Sequence, residues 1–310
     1  MMPLVSVVIP TFNRAGLVVN AIESVFDQTF KDYEVVVVDD GSTDNTREAL
    51  EPYRRRIRYF YQTNRGASAA QNKGIELATG EWISILADDD EWLPTKLERQ
   101  LEVLSQLGSD FGACFTNCEY TGNPAIRQTA FEMVGLRTQP VFGALDDPVR
   151  YILARDAVIC VQSLLVRKSI VAEVGPFDEA MVVAEDTDLL LRLALRTRFC
   201  FVSEPLVRID RNPARVRLMD LFALNSEKMF SSLEHMYRKW LALPEMDLDL
   251  RAQTLETLRD LYVAWTISEL YQFRIAGALA KVKQGTEFGG GYSQMLSRLG
   301  SRAVQKICRL

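Results

Sequence analysis

Histidine occurs once in this chain of 310 residues, as His235 in "SLEHMYRKW". On a helix face, and with no second imidazole anywhere, it makes a poor catalyst, so acid or base chemistry falls to carboxylates. Cysteine is sparse and odd in number: Cys114, Cys118, Cys160, Cys200 and Cys308 are scattered and form no disulfide framework, which suits reduced thiols in a cytosolic protein. Cys114 and Cys118 lack the second Cys or His pair of a zinc site and lie in an apolar stretch, "FGACFTNCEY". There is no uninterrupted apolar run of about 18 residues, so no membrane span is expected. The start, "MMPLVSVVIP", lacks the basic segment, long apolar stretch and cleavage site of a secretion signal. The spaced glycines of a dinucleotide fingerprint are missing from "IPTFNRAG", and the chain has no P-loop, zinc-protease helix or nucleophile elbow. A net charge of -5 gives no overall footprint for nucleic acid.

What is present is an ordinary globular composition, 48% hydrophobic and 25% charged, over a length that suits two domains. Four β-branched runs, "VSVVIP" (5–10), "YEVVVVDDG" (33–41), "IRYFYQ" (57–62) and "EWISILADDD" (81–90), alternate with helical patterns. That alternation predicts an α/β fold, a mostly parallel sheet covered by helices. Leu17, Ala21 and Val25 with Ile22 and Phe26 form one helical stripe. Ser42, Thr43 and Asp44 are candidate caps for a second helix, and "GASAAQNKGIELATG" predicts a third, closed by Gly80. Further strand-like runs follow at "FGACFTN", "VICVQSLLV" and "FCFVSEPLVRI", with a short helix at "AEDTDLLLRLALR". From 216 to 284 the pattern is helical, with Leu255, Leu258, Tyr262 and Trp265 at helical spacing. We therefore expect one domain over 1–215 and a helical region over 216–310.

In such sheets ligands bind beyond the carboxyl ends of the strands. Here those ends carry Pro10-Thr11, Asp39-Asp40-Gly41 and Ala87-Asp88-Asp89. The run "SILADDDEWLP" sets Asp88, Asp89, Asp90 and Glu91 side by side. Two such charges about 4 Å apart repel by roughly 4 kcal/mol at an effective dielectric near 20. Solvent and a helix N-terminus opened near Pro94 are the plain ways to relieve this, and a hard divalent cation is the functional one. For Asp39-Asp40 the plain alternative is an Asp-Gly turn, and for Glu185-Asp186 it is helix capping.

The ordered set "VSVVIPTFNR", "VVVVDDGSTDNT", "NRGASAAQNKG", "ISILADDDEWLP" and "FDEAMVVAEDTDLLLRL" resembles the family 2 inverting glycosyltransferases of GT-A fold, over about the first two thirds of the chain. The resemblance implies a nucleoside-diphosphate sugar donor and Mg²⁺ or Mn²⁺. It implies that Thr11, Phe12 and Arg14 contact the nucleotide, with Phe12 on the base, and that Asp39 and Asp40 bind base and ribose. It places the metal on Asp89, with Asp88 touching ribose or metal, and the catalytic base on Asp186. An acceptor, lipid-linked in many relatives, and a role in surface polysaccharide or glycoconjugate synthesis follow from the same likeness. Three departures stand out: Ala87 where relatives often have aspartate, Gln71 where many have arginine, and "VRIDRNPAR", where Arg208 or Arg211 replaces a histidine in steadying the diphosphate. A sugar nucleotidyltransferase would place a glycine-rich basic loop where this chain has "PTFNRAG"; a binding protein without catalysis would not need Asp89 and Asp186 intact.

The last segment differs in charge from the rest. Residues 281–310 carry Lys281, Lys283, Arg298, Arg302, Lys306 and Arg309 against Glu287, a net of +5, which leaves -10 on the remainder of a chain of net -5. On a helix, Tyr292, Leu296, Leu299, Ala303, Ile307 and Leu310 share one face with the bases on its flank. Two outcomes stand open: an interfacial helix giving peripheral contact with the inner face of a membrane, or a helix docked on the acidic body or in a homodimer.

Overall fold

The computed structural model describes residues 2–136, 141–153, 159–214 and 226–289, with positions 291, 294 and 297. The amphipathic segment expected at the C-terminus, including Tyr292 and Arg298 to Leu310, lies outside the described residues, as does Cys308. The described chain divides into two compact units, residues 1–179 with 185–215, and residues 180–184 with 216–310.

Among its described residues the first unit holds nine strands: β1 (Val5–Thr11), β2 (Tyr33–Asp39), β3 (Arg58–Tyr61), β4 (Trp82–Ile85), β5 (Glu91–Trp92), β6 (Phe111–Thr121), β7 (Phe142–Leu145), β8 (Leu165–Arg167) and β9 (Arg198–Asp210). Its helices are α1 (Ala15–Phe26), α2 (Thr46–Leu50), α3 (Ala67–Leu77), α4 (Lys96–Leu107), α5 (Ala130–Met133), α6 (Pro148–Leu153), α7 (Lys168–Val174) and α8 (Glu185–Ala194). The strands form one sheet in the order β3-β2-β1-β4-β8-β6-β9-β5, with β7 paired to β9.

The β3-β2-β1-β4 half is wholly parallel, as the unbroken valine runs predict for strands covered on both faces. Beyond β4 the sheet is mixed: β8 runs antiparallel to β4 and β6, β6 runs parallel to β9, and β5 and β7 run antiparallel to β9. The run "VICVQSLLV" is not one strand. Val161–Ser163 forms a 3₁₀ turn before β8, because tertiary partners claim its carbonyls: Gln162 O accepts from Trp92 Nε1 at 3.0 Å and Ser163 O from Gln100 Nε2 at 2.9 Å. Register against β6 slips beside Pro205, where β9 lacks a donor.

Two close packings set the site end of the sheet. A Cβ on Gly74 would lie 2.1 Å from Val8 Cγ1, so only glycine lets α3 seat on β1. Register pairs Thr11 with Asp39, so β1 and β2 end level, and Val8 with Ile85, so β4 stops three residues sooner and the chain beyond it brings Asp88 to Thr11 at the same edge.

Lys96 is fully buried at the base of α4. Its ammonium donates to Gln100 Oε1 at 2.8 Å and Ser84 Oγ at 3.1 Å and lies 3.9 Å from the centre of the Trp92 ring. Gln100 Nε2 carries the network on to Cys114 O at 2.7 Å. Burial lowers the Lys96 pKa from 10.5 to about 7. The unfolded chain therefore holds this proton more tightly between those two values, and stability should rise with pH through that window. We expect wild type to gain on the order of a few kcal/mol relative to Lys96→Met between pH 7 and pH 9.5. Urea unfolding at both pH values measures it; a pH-independent difference between the two proteins would refute it.

The second unit contains α9 (Glu227–Leu241), α10 (Leu248–Tyr271) and α11 (Ile275–Thr286). Of the expected stripe, Leu258, Tyr262 and Trp265 are buried and Leu255 is half-buried. Trp265 stacks on Phe230 at 5.2 Å and Tyr262 on Phe288 at 5.6 Å. Ser226 and Asp247 cap α9 and α10 through their side-chain oxygens. His235 is exposed on α9. Among the described residues no helix is long and apolar enough to cross a membrane.

Candidate active site

The strand-end edge gathers Thr11, Arg14, Asp88 and Asp89. Thr11 Oγ1 donates to Asp88 Oδ2 at 2.8 Å. The Arg14 guanidinium bridges two carboxylates through one nitrogen, Nη1, 2.9 Å from Asp88 Oδ1 and 2.8 Å from Asp89 Oδ2. Burial pushes the Asp88 carboxyl up to about 6, with Arg14 opposing the rise and Asp89 adding to it.

The four neighbouring acids take different positions. Asp88 is buried against Thr11 and Arg14, and Asp89 is half-buried. Asp90 points the other way: its Oδ1 accepts from Asp210 N at 2.9 Å, and burial, followed by the Asp89 charge, drives its pKa up to about 8. Glu91 enters β5 opposite Arg208. Mutual repulsion is thus relieved by division: one carboxylate pair shares a cation, and burial shifts the third acid toward its neutral form. Beside them opens a cavity of about 230 Å³ lined by Asn20, Asp89, Asp90, Arg208, Asp210 and Asn212, among others. Arg208 is held by Glu119 Oε1 at 2.7 Å, whereas Arg211 lies over the Tyr120 ring at 5.4 Å.

Asp39 and Asp40 are buried and already bonded. Asp39 Oδ1 accepts from Ser42 N at 2.8 Å and its Oδ2 from Tyr59 OH at 2.7 Å. Asp40 takes Gln62 Nε2 at 2.7 Å, Arg65 N at 2.9 Å and Gly66 N at 2.8 Å, so it fixes the turn into α3. A carboxylate oxygen has two lone pairs, and Asp39 keeps one on each oxygen for a ligand. Phe12, 44% exposed directly after β1, offers its ring at the same edge.

Asn13 is a residue that motif reasoning passed over. It adopts φ 53, and its Oδ1 accepts from Thr43 N at 2.7 Å and Asp44 N at 3.3 Å, while its own N–H donates to Ser42 Oγ at 2.9 Å. One asparagine thus stitches the loop after β1 to the loop after β2. Asparagine is among the few side chains that tolerate this backbone, which is the available sequence signal. Asp44 acts near the expected cap, its Oδ1 accepting from Thr46 N at 3.0 Å.

Asp186 lies in the first turn of α8. Its Oδ1 accepts from Thr187 N at 2.7 Å. Burial raises the pKa of Glu185 beside it, and the Asp186 charge adds to the rise. Ala184, just before them, takes φ 62, a strained backbone of the kind that collects at functional turns. The approach to α8 is clamped to α3: Asn72 Nδ2 donates to Phe177 O and Asn72 Oδ1 accepts from Phe177 N, both at 2.9 Å, while Arg65 Nη2 pairs with Glu179 at 2.9 Å. Gln71, next to Asn72, holds a buried Oε1 without a hydrogen-bond partner among the described residues.

The match to solved structures defines the class. Residues of this chain superpose on S. aureus TarS in complex with UDP-GlcNAc with a TM-score of 0.65, covering 93% of this chain and 91% of that one at 18% identity. They superpose on the mannosyltransferase PcManGT of Pyrobaculum calidifontis, in complex with GDP-Man and Mn²⁺, with a TM-score of 0.59, covering 99% and 81% at 17% identity. The fold is that of the GT-A glycosyltransferases. The chain belongs to glycosyl transferase family 2, whose model matches residues 6–166, and it is a glycosyltransferase. An uncharacterized glycosyltransferase of Rickettsia typhi is 30% identical over 266 residues, 84% of this chain and 79% of that protein. A GalNAc(5)-diNAcBac-PP-undecaprenol beta-1,3-glucosyltransferase of Campylobacter jejuni is 37% identical over 129 residues, 39% of this chain and 41% of that protein.

Proposed function

We propose that the protein moves a sugar from a nucleoside-diphosphate donor to an acceptor hydroxyl, inverting the anomeric centre, with Mg²⁺ or Mn²⁺ held at Asp89 and Asp88. The observation that carries this is the convergence of Asp88 Oδ1 and Asp89 Oδ2 on a single cationic nitrogen at the carboxyl ends of β1 and β4. These are hard oxygen ligands, so the residues fit such an ion. A hard divalent cation bound through one or two carboxylates completes its shell with water and donor phosphates.

Each residue then has a task. Asp39 and Thr11 meet the nucleoside at the strand ends, Phe12 packs on its base, and Asp40 holds the turn that frames it. Arg14, displaced from the carboxylates, keeps its charge for the diphosphate, and Arg208 faces the same space from β9. When bound, the divalent cation supplies positive charge to the diphosphate as it departs. Asp186 accepts the acceptor hydroxyl's proton while that oxygen attacks from the face opposite the leaving group. Solved neighbours bound to UDP-GlcNAc and to GDP-Man with Mn²⁺ support the donor class, and the C. jejuni relative supports an acceptor on a lipid-linked glycan.

Calorimetry of UDP and GDP against wild type and Asp89→Asn, each in Mn²⁺ and in EDTA, tests this. Wild type should bind one nucleotide at least about tenfold more tightly with Mn²⁺, equivalent to about 1.4 kcal/mol, and Asp89→Asn should lose that gain. Equal affinity in all four conditions would remove the metal from the proposal.

A further inference from the structure

The turn between α10 and α11 exposes apolar side chains. Phe273 is 91% exposed, Leu279 66%, Tyr271 64% and Ile275 59%. The exposure is built into the backbone. Phe273 takes φ 57 at the end of α10, where its N–H donates to Leu270 O at 3.0 Å and Arg274 N–H to Glu269 O at 2.9 Å. That is a Schellman cap whose left-handed position normally falls to glycine. Here it carries a phenyl ring turned to solvent.

Charge follows the same segment. From 270 to 286 there is no acid, and over 270–310 the chain has Arg274, Lys281, Lys283, Arg298, Arg302, Lys306 and Arg309 against Glu287, a net of +6. Arg274 lies 3.6 Å from Glu269 and Lys281 sits over the Trp265 ring at 3.4 Å, while Lys283 is exposed. The remaining basic residues follow within the last 13 positions. A second copy docking through this face would bring two like-charged segments together, which opposes self-association. An anionic surface of low polarity complements both properties at once.

We infer that the α10–α11 turn is a peripheral membrane-contact surface, seating Tyr271, Phe273, Ile275 and Leu279 at the headgroup boundary of an anionic bilayer, with the exposed Arg274 and Lys283 of the same segment adding attraction. This does not depend on the donor or metal assignment.

The test is co-sedimentation of the full chain with vesicles of phosphatidylglycerol and phosphatidylcholine, or of phosphatidylcholine alone, at low and high salt. The comparison is Phe273→Asn/Ile275→Ser, because asparagine accepts the left-handed backbone and leaves the cap intact. Wild type should bind the anionic vesicles at low salt and bind the neutral ones, or the anionic ones at high salt, roughly tenfold more weakly. The variant, with an unchanged melting temperature, should bind the anionic vesicles roughly tenfold more weakly than wild type. Equal binding by variant and wild type, or no wild-type binding at low salt, overturns the inference. Self-association that the variant abolishes, without vesicle binding, would give the surface to a second copy instead.

Discussion

Asp186→Asn should lower turnover by roughly 10² to 10⁴ while leaving nucleotide affinity within about twofold, because asparagine keeps the size of the side chain but cannot accept the hydroxyl proton. Geometry makes this substitution clean. The only oxygen of Asp186 with a described backbone partner takes Thr187 N at 2.7 Å, a bond that an amide oxygen reproduces. The first turn of α8 should therefore form normally, and the loss should appear in kcat rather than in KM for the donor. Glu185→Gln is the companion measurement. Burial already favours the neutral form of Glu185, so replacing it should cost far less. Near wild-type turnover in Asp186→Asn with a collapse in Glu185→Gln would move the base by one residue.

The sheet's first half was legible because its strands are buried on both faces and so read as unbroken valine and isoleucine, "VSVVI" and "EVVVV". That Asp88 and Asp89 need a counter-charge was legible in their clustering, but that Arg14 supplies one in the folded chain was not. What the sequence hid was the division of labour. Nothing in "DDDE" distinguishes Asp90, turned to Asp210 N, from Asp89, which shares Arg14 with Asp88; that choice depends on β5 and β9 meeting across more than a hundred residues. Equally hidden was that Asp40, expected at the nucleotide, accepts three hydrogen bonds at the turn into α3. The mixed half of the sheet was obscure for another reason: β5 and β8 have only two and three residues, too short for any period to show. In "VICVQSLLV", tertiary hydrogen bonds outweighed local strand preference.

Arg192→Met should be the most destabilising single change in the first unit, by about 3–5 kcal/mol. Arg192 is almost wholly buried on α8, and Asp188, one turn earlier, is fully buried. The guanidinium pairs with Asp188 Oδ2 at 2.8 Å through Nη2 and at 3.0 Å through Nε. Its other protons go to the chain leaving α7, to Val174 O at 2.7 Å, to Gly175 O, and to Pro176 O at 2.8 Å. Removing the arginine takes the cation from beside a fully buried carboxylate and leaves three carbonyls without this donor, and both costs fall on the folded state alone. For a unit of about 200 residues, each kcal/mol lowers the melting temperature by roughly 2–4 °C, so a drop of about 6–20 °C is expected. Asp188→Asn/Arg192→Met should recover part of it, because the buried negative charge is then gone along with its cation while the three carbonyls still lack the guanidinium. A double variant as unstable as Arg192→Met would show that the carbonyl contacts, not the ion pair, carry the cost. The activity of the double variant then reports on function: the carbonyls that Arg192 holds lie on the segment whose next residues, Phe177 and Glu179, are clamped to α3. If that segment positions α8, kcat should fall with donor affinity intact.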